Sequence, residues 1–142
     1  MTLLELIVAI AIMAILATAV LPITRNIVKR ERERELREEL QQMRDAIDRY
    51  KDAADRGLFP IKLNSNGYPP DLDELVKGVN VGTKKVQFLH HIPVDPMTNS
   101  KDWGLRSMQD DPDSDSWGGQ AVFDVYTKSN GTALDGSKYK DW

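Results

Sequence analysis

The chain has 142 residues, room for one domain rather than two. Its net charge of −3 excludes the strongly basic surface of a nucleic-acid-binding domain, and the lack of cysteine excludes a disulfide framework or thiolate metal site. The mean hydropathy of −0.44 averages three unlike parts, residues 1–24, 25–56 and 57–142.

The first part is apolar. From Leu6 to Ile23 there is no charged residue, and Thr18 is the sole polar side chain. Eighteen helical residues span roughly 27 Å, close to the thickness of a bilayer core. A helix apolar all round has no solvent face and needs lipid or other helices on every side. A secretory signal peptide fits less well. No basic residue precedes the apolar run, and the pattern continues past the nominal cleavage site Ala17-Thr18-Ala19. Pro22 removes a backbone donor, so a kink near Thr18, or a turn there, is expected.

Thr2 and Glu5 have the spacing of a capping box, in which Thr2 caps the helix and Glu5 reaches back to the Thr2 N–H. The same carboxylate stands at the entrance of the apolar run. A charge costs about 2.5–3.5 kcal/mol at mid-bilayer and less near an interface, so Glu5 there calls for a cation. The α-amino group of Met1 in a neighbouring copy could supply it, and capping and pairing are compatible roles.

The second part reads as a charged helix with one apolar stripe. Leu36, Leu40, Met43, Ile47, Tyr50 and Ala54 follow a 4-3-4-3-4 spacing, which suits packing on the chain's own head. The mixed charges from Lys29 to Glu39 suit a solvated, ion-paired face, and Gly57 is a natural stop. A continuous helix from Thr2 to Arg56 would be on the order of 80 Å long, so about half must protrude from any 86-residue head.

The third part is turn-rich. Asp71 to Lys77, after Pro69-Pro70 and before Gly78, reads as a short capped helix. Ala121–Thr127 is the best strand candidate, with Trp103–Met108 and Val86–Leu89 as weaker ones. Asp110–Ser116, Gly118-Gly119 and Ser129–Gly131 are loop chemistry. Asp124, Ser129, Asp135 and Asp141 could supply oxygen ligands to calcium, and Asp110, Asp111, Asp113 and Asp115 form a second acidic set. His90 and His91, adjacent on an extended segment, would point to opposite faces and not converge. Trp103, Trp117 and Trp142 read as head anchors. No nucleophile–base or phosphate-cradling arrangement suggests catalysis.

Thr2 to Ala17, with Glu5 inside it and Pro22 following, resembles the N-terminal methylation motif of type IV pilins and type II secretion pseudopilins. The resemblance implies that a prepilin peptidase removes a short basic leader before Met1 and that the new amine is N-methylated, although the family's usual first residue is Phe. It also implies that Glu5, at the family's assembly position, joins one subunit to the next. Gly67-Tyr68-Pro69, Ile92 to Pro96, Trp103-Gly104 and Phe123 to Tyr126 are similar to the major, G-type pseudopilins, whose C-terminal loop binds calcium, although the Asp spacing here differs. The missing Cys pair disfavours pilins that close this loop by a disulfide.

The fold implied is α+β and type IV pilin-like: a long helix on a small antiparallel sheet with extended loops. The function implied is a non-enzymatic filament subunit that requires no cofactor and could bind calcium. Its partners would be copies of itself, the inner membrane, the prepilin peptidase and assembly-platform proteins. Six Lys/Arg from Arg25 to Arg37 would by themselves hold the head in the cytoplasm. The resemblance instead puts it in the periplasm, with the leader's basic residues opposing. The alternative is a non-polymerising, single-pass anchored protein with a binding head.

Overall fold

The computed structural model describes residues 2–142, except the side chains of residues 21–23. Helix α1 runs from Leu3 to Asp55, 53 residues or about 80 Å. It is helical throughout, so no turn opens at Pro22; the Pro22 side chain, on which the expected kink depends, lies outside the described residues. On either side of it, Thr18 Oγ1 donates to Ile15 O (2.7 Å) and Thr24 Oγ1 to Val20 O (2.8 Å). Both hydroxyls are thereby satisfied within the helix, as an apolar surrounding demands. Gly57 ends the helix at φ +70°, a left-handed conformation that a side chain would strain. Its N–H bonds to Ala54 O while Leu58 N–H reaches back to Ala53 O, which satisfies two end carbonyls.

The second half of α1 carries the head. All six residues of the apolar stripe are buried, joined by Ala46 and Ala53. They meet Phe59, Leu72, Leu75, Phe88, Leu89, Trp103, Val122 and Val125 in one core. Tyr50 is its aromatic centre, with ring centroids 4.9 Å from Phe59 and 5.3 Å from Phe88. Helix α2 (Leu72–Lys77) is capped by Asp71, whose side chain accepts from Glu74 N, and presses Leu72 and Leu75 into this core.

The sheet differs from the single one expected. There are two separate antiparallel pairs, β1 (Val79–Val81) with β2 (Lys84–Val86) and β3 (Gly104–Arg106) with β4 (Asp124–Tyr126). The first pair is a hairpin closed by Gly82-Thr83, so the strand expected over Val86–Leu89 lies earlier, with only Val86 in it. Phe88 and Leu89 instead donate their N–H groups to Leu75 O, which turns both side chains into the core. The strand expected over Ala121–Thr127 is shortened because Val122 N–H bonds to Pro69 O, outside any ladder. Gly104 pairs with Tyr126, and a Cβ there would fall 2.2 Å from the tyrosine ring. The bare backbone lets that ring lie flat under the Arg106 guanidinium, 4.1 Å from the ring centre.

The stripe continues towards the N-terminus with polar members. Glu33, three residues before Leu36, is buried, and Lys29 is partly so. This corrects the expectation of a wholly solvated charged face. Glu33 Oε1 accepts from Tyr139 Oη and Leu134 N, both at 2.9 Å, and Lys29 Nζ donates to Thr132 O at 2.7 Å. Arg44 adds bonds to Asp124 (2.7 Å), Val125 O (3.1 Å) and Trp142 O (2.7 Å). The C-terminal tail, ending in a 3-10 turn at Tyr139–Asp141, is thus tied along α1 by helix charges. The exposed helix pairs Arg34–Glu31, Lys51–Asp55 and Arg56–Asp52 are worth far less, roughly 0–1 kcal/mol each.

Burial first, and then the bond to Glu33, pushes the Tyr139 hydroxyl up to about 12, and burial does the same for Tyr50. A tyrosine of the unfolded chain ionises near 10. The folded state therefore favours the neutral phenol: that stabilisation is complete below about pH 10 and is lost as pH rises through 12. The guanidinium unfolding midpoint, followed by tryptophan fluorescence, is expected to be level up to about pH 10 and then to fall. Tyr139→Phe should flatten part of that fall, while costing about 1.5–3 kcal/mol at neutral pH through the lost bond to a carboxylate. An alkaline limb unchanged by the substitution would contradict this.

Candidate functional site

The first half of α1 stands away from the head. Every described side chain from Thr2 to Val20 is exposed, and no residue of the most apolar 18-residue window is buried. Eleven large apolar residues from Leu3 to Val20 are uncovered, among them Leu3 at 77% and Met13 and Ile15 at 69% exposure. Covering what remains exposed of them is worth on the order of 10–20 kcal/mol, more than a typical domain's net stability. Water is therefore a poor surrounding for this segment. By length and composition it is a candidate membrane-spanning helix.

At its entrance Thr2 is the N-cap. Thr2 Oγ1 accepts from Glu5 N at 3.3 Å, and Glu5 Oε2 accepts from Thr2 N at 3.4 Å, so both halves of the capping box form. These bonds are long, and Glu5 Oε1 has no partner among the described residues. The carboxylate caps the helix with one oxygen and can still receive a cation with the other. Met1, the residue whose amine is expected to pair with it, lies outside the described residues.

The residues considered for calcium are dispersed in role. Asp124 is held by Arg44 and, at 4.0 Å, by Arg106. Ser129 Oγ accepts from Gly131 N. Asp135 accepts from Ser137 Oγ (2.6 Å) and N (2.9 Å), which hold its pKa below the usual range, and it faces Arg37 at 3.7 Å. Asp141 is exposed in the terminal 3-10 turn. In the second set Asp110 turns back to accept from Ser107 N (2.7 Å) and Gly118 N (3.1 Å), which lowers its pKa and closes the loop between them. Asp111 and Asp113 are exposed, and Asp115 faces Lys140 at 3.4 Å. Among the described residues no group of three or more His, Cys, Asp or Glu side chains converges as a metal site.

His90 and His91 are both exposed. Glu39 has a buried oxygen, Oε2, without a hydrogen-bond partner among the described residues; burial and then the Glu35 charge raise its pKa, which His91 partly opposes. Trp103 is buried and donates to Pro93 O at 2.9 Å. Trp142 lies under Arg37 and donates to Ser137 Oγ, whereas Trp117 is 38% exposed.

Asp95 was not singled out by the sequence reading. It is fully buried, takes Met97 N at 2.8 Å and the Thr127 hydroxyl, and so ties the turn at 95–100 to the end of β4. Its sequence signals were its place in the stretch Ile92 to Pro96 and the turn chemistry of an Asp between Pro93 and Pro96.

No protein-family model, curated protein or solved structure matches the chain. The geometry therefore carries the functional argument: a bare apolar rod, a carboxylate at its tip, and a small head clasped to its other half.

Proposed function

We propose that this chain is a structural subunit that polymerises through the first half of α1 into a pilus or pseudopilus filament of the type II secretion or type IV pilus kind. Its likeness is to the G-type pseudopilins. Before assembly the helix would lie in the inner membrane with the head on the periplasmic side; afterwards it would form the filament core. The observation that carries the reading is Glu5, a carboxylate with one oxygen unpartnered among the described residues, at the tip of a helix whose described side chains to Val20 are all exposed. A non-polymerising anchor would use only the capping oxygen and has no need of the second. Packed copies of the same helix bring a cation to it and cover the apolar surface together.

Topology tests the reading. Thr83, exposed in the β1–β2 turn, can be replaced by Cys, the chain having none of its own. With the chain produced in cells that supply an assembly apparatus, Thr83→Cys should react with a membrane-impermeant thiol reagent from the outer side. Sheared fractions should contain filaments by electron microscopy. Labelling from the cytoplasmic side alone would overturn the proposal.

A further inference from the structure

We propose that the cleft where the apolar half of α1 meets the head binds the phosphate of an anionic phospholipid, an inference that rests on the membrane-spanning reading of α1. The cleft, about 480 Å³, is formed on the helix side by Thr24, Arg25, Val28, Lys29 and Arg32, and on the head side by Met97 and Tyr139. Its position comes first. The apolar run ends at Ile23, so the cleft opens on the residue directly after it. From Arg25 to Arg32 the helix climbs about 10 Å. The polar zone on each side of a bilayer is roughly 5–8 Å deep; Arg25 starts within it, and Lys29 and Arg32, about 9 and 13 Å past Ile23, lean back into it because helical side chains tilt towards the N-terminus.

Charge comes second. Arg25, Lys29 and Arg32 share one helix face, and no acidic side chain lines the cleft. Arg25 and Arg32 form no ion pair among the described residues. Lys29 gives one bond to Thr132 O and keeps two donors. Glu33, which follows Arg32 in the chain, is turned to the tail and already receives Tyr139 Oη and Leu134 N. An arginine pair three or four residues from a lysine suits a phosphate, which guanidinium groups bind in a two-pronged fashion. Shape comes third. Val28 is 49% exposed, and with Met97 it offers an apolar wall where the glycerol and first methylenes of a lipid would rest.

The test uses the full chain in phosphatidylcholine vesicles carrying a trace of spin-labelled phosphatidylglycerol or spin-labelled phosphatidylcholine. The motionally restricted fraction reports association with the protein. Phosphatidylglycerol should be preferred by on the order of tenfold, and Arg25→Gln or Arg32→Gln should each reduce that preference about fivefold. Arg30→Gln removes an equal charge at equal depth outside the cleft and should change it less than twofold. Equal loss in Arg30→Gln would mean diffuse attraction and overturn the site. Loss of the preference in millimolar inorganic phosphate would overturn a lipid site in favour of a free-anion one. No preference in a chain that floats with the vesicles and resists carbonate extraction would overturn this inference alone. A chain that fails to insert would overturn the membrane reading and this inference together.

Discussion

Glu5→Gln is expected to abolish filaments while leaving membrane insertion and the folded head unchanged. In the proposed filament Glu5 of one copy faces the Met1 amine of another within packed apolar helices. Removing one partner of such a pair leaves the other charge buried and uncompensated, at about 3–5 kcal/mol. That cost recurs at each subunit contact, so assembly should fail rather than weaken. The capping box gives the control. Gln also serves in this motif, so Glu5→Gln keeps the helix start. Thr2→Ala removes the acceptor for Glu5 N–H and should cost about 1 kcal/mol of local helix stability while filaments still form. Shear yield and electron microscopy read assembly, and blotting of membrane fractions reads insertion. Filaments at wild-type yield from Glu5→Gln would refute the pairing, though not the membrane helix beneath it.

Ile47→Ala is expected to destabilise the head by about 2–5 kcal/mol, enough to lower its melting temperature by roughly 10 °C or more. Ile47 is fully buried midway along the stripe, between Met43 and Tyr50, and the backbone of a long helix cannot collapse into the space left. Ile12→Ala removes the same three carbons from the bare half of the same helix, where Ile12 is 52% exposed. It should leave the melting temperature of the head in detergent within about 0.5 kcal/mol equivalent of wild type. Circular dichroism melts of the two full-length variants make the comparison. An Ile47→Ala head as stable as wild type would mean that the stripe is a seam between copies rather than the head's own foundation.

The two substitutions separate the two halves of α1, and that division was legible in the sequence. A run of uninterrupted apolar residues from Leu6 to Ile23 and a 4-3 stripe from Leu36 to Ala54 are local patterns. Each is set by residues close together in the chain, as are the capping box, the stop at Gly57 and the Asp71 cap of α2. Near neighbours decide helix starts, faces and ends, so a linear reading reaches them.

Tertiary structure alone decided what the charges do. Glu33 and Lys29 keep the stripe's spacing, yet as ionised side chains they read as solvent-facing; they turn inward because their partners, Tyr139, Leu134 and Thr132, lie more than 100 residues away. Asp124, a candidate oxygen ligand, is also the partner of Arg44, 80 residues back, which no local pattern announces. Asp95 is buried because Thr127 comes to it from another strand's end. The split of the expected sheet into two ladders has the same origin, since Leu75 O and Pro69 O capture N–H groups that a longer ladder would have used. Burying a charge or diverting a backbone donor is favourable only when a partner arrives, and that partner comes from a distant part of the chain.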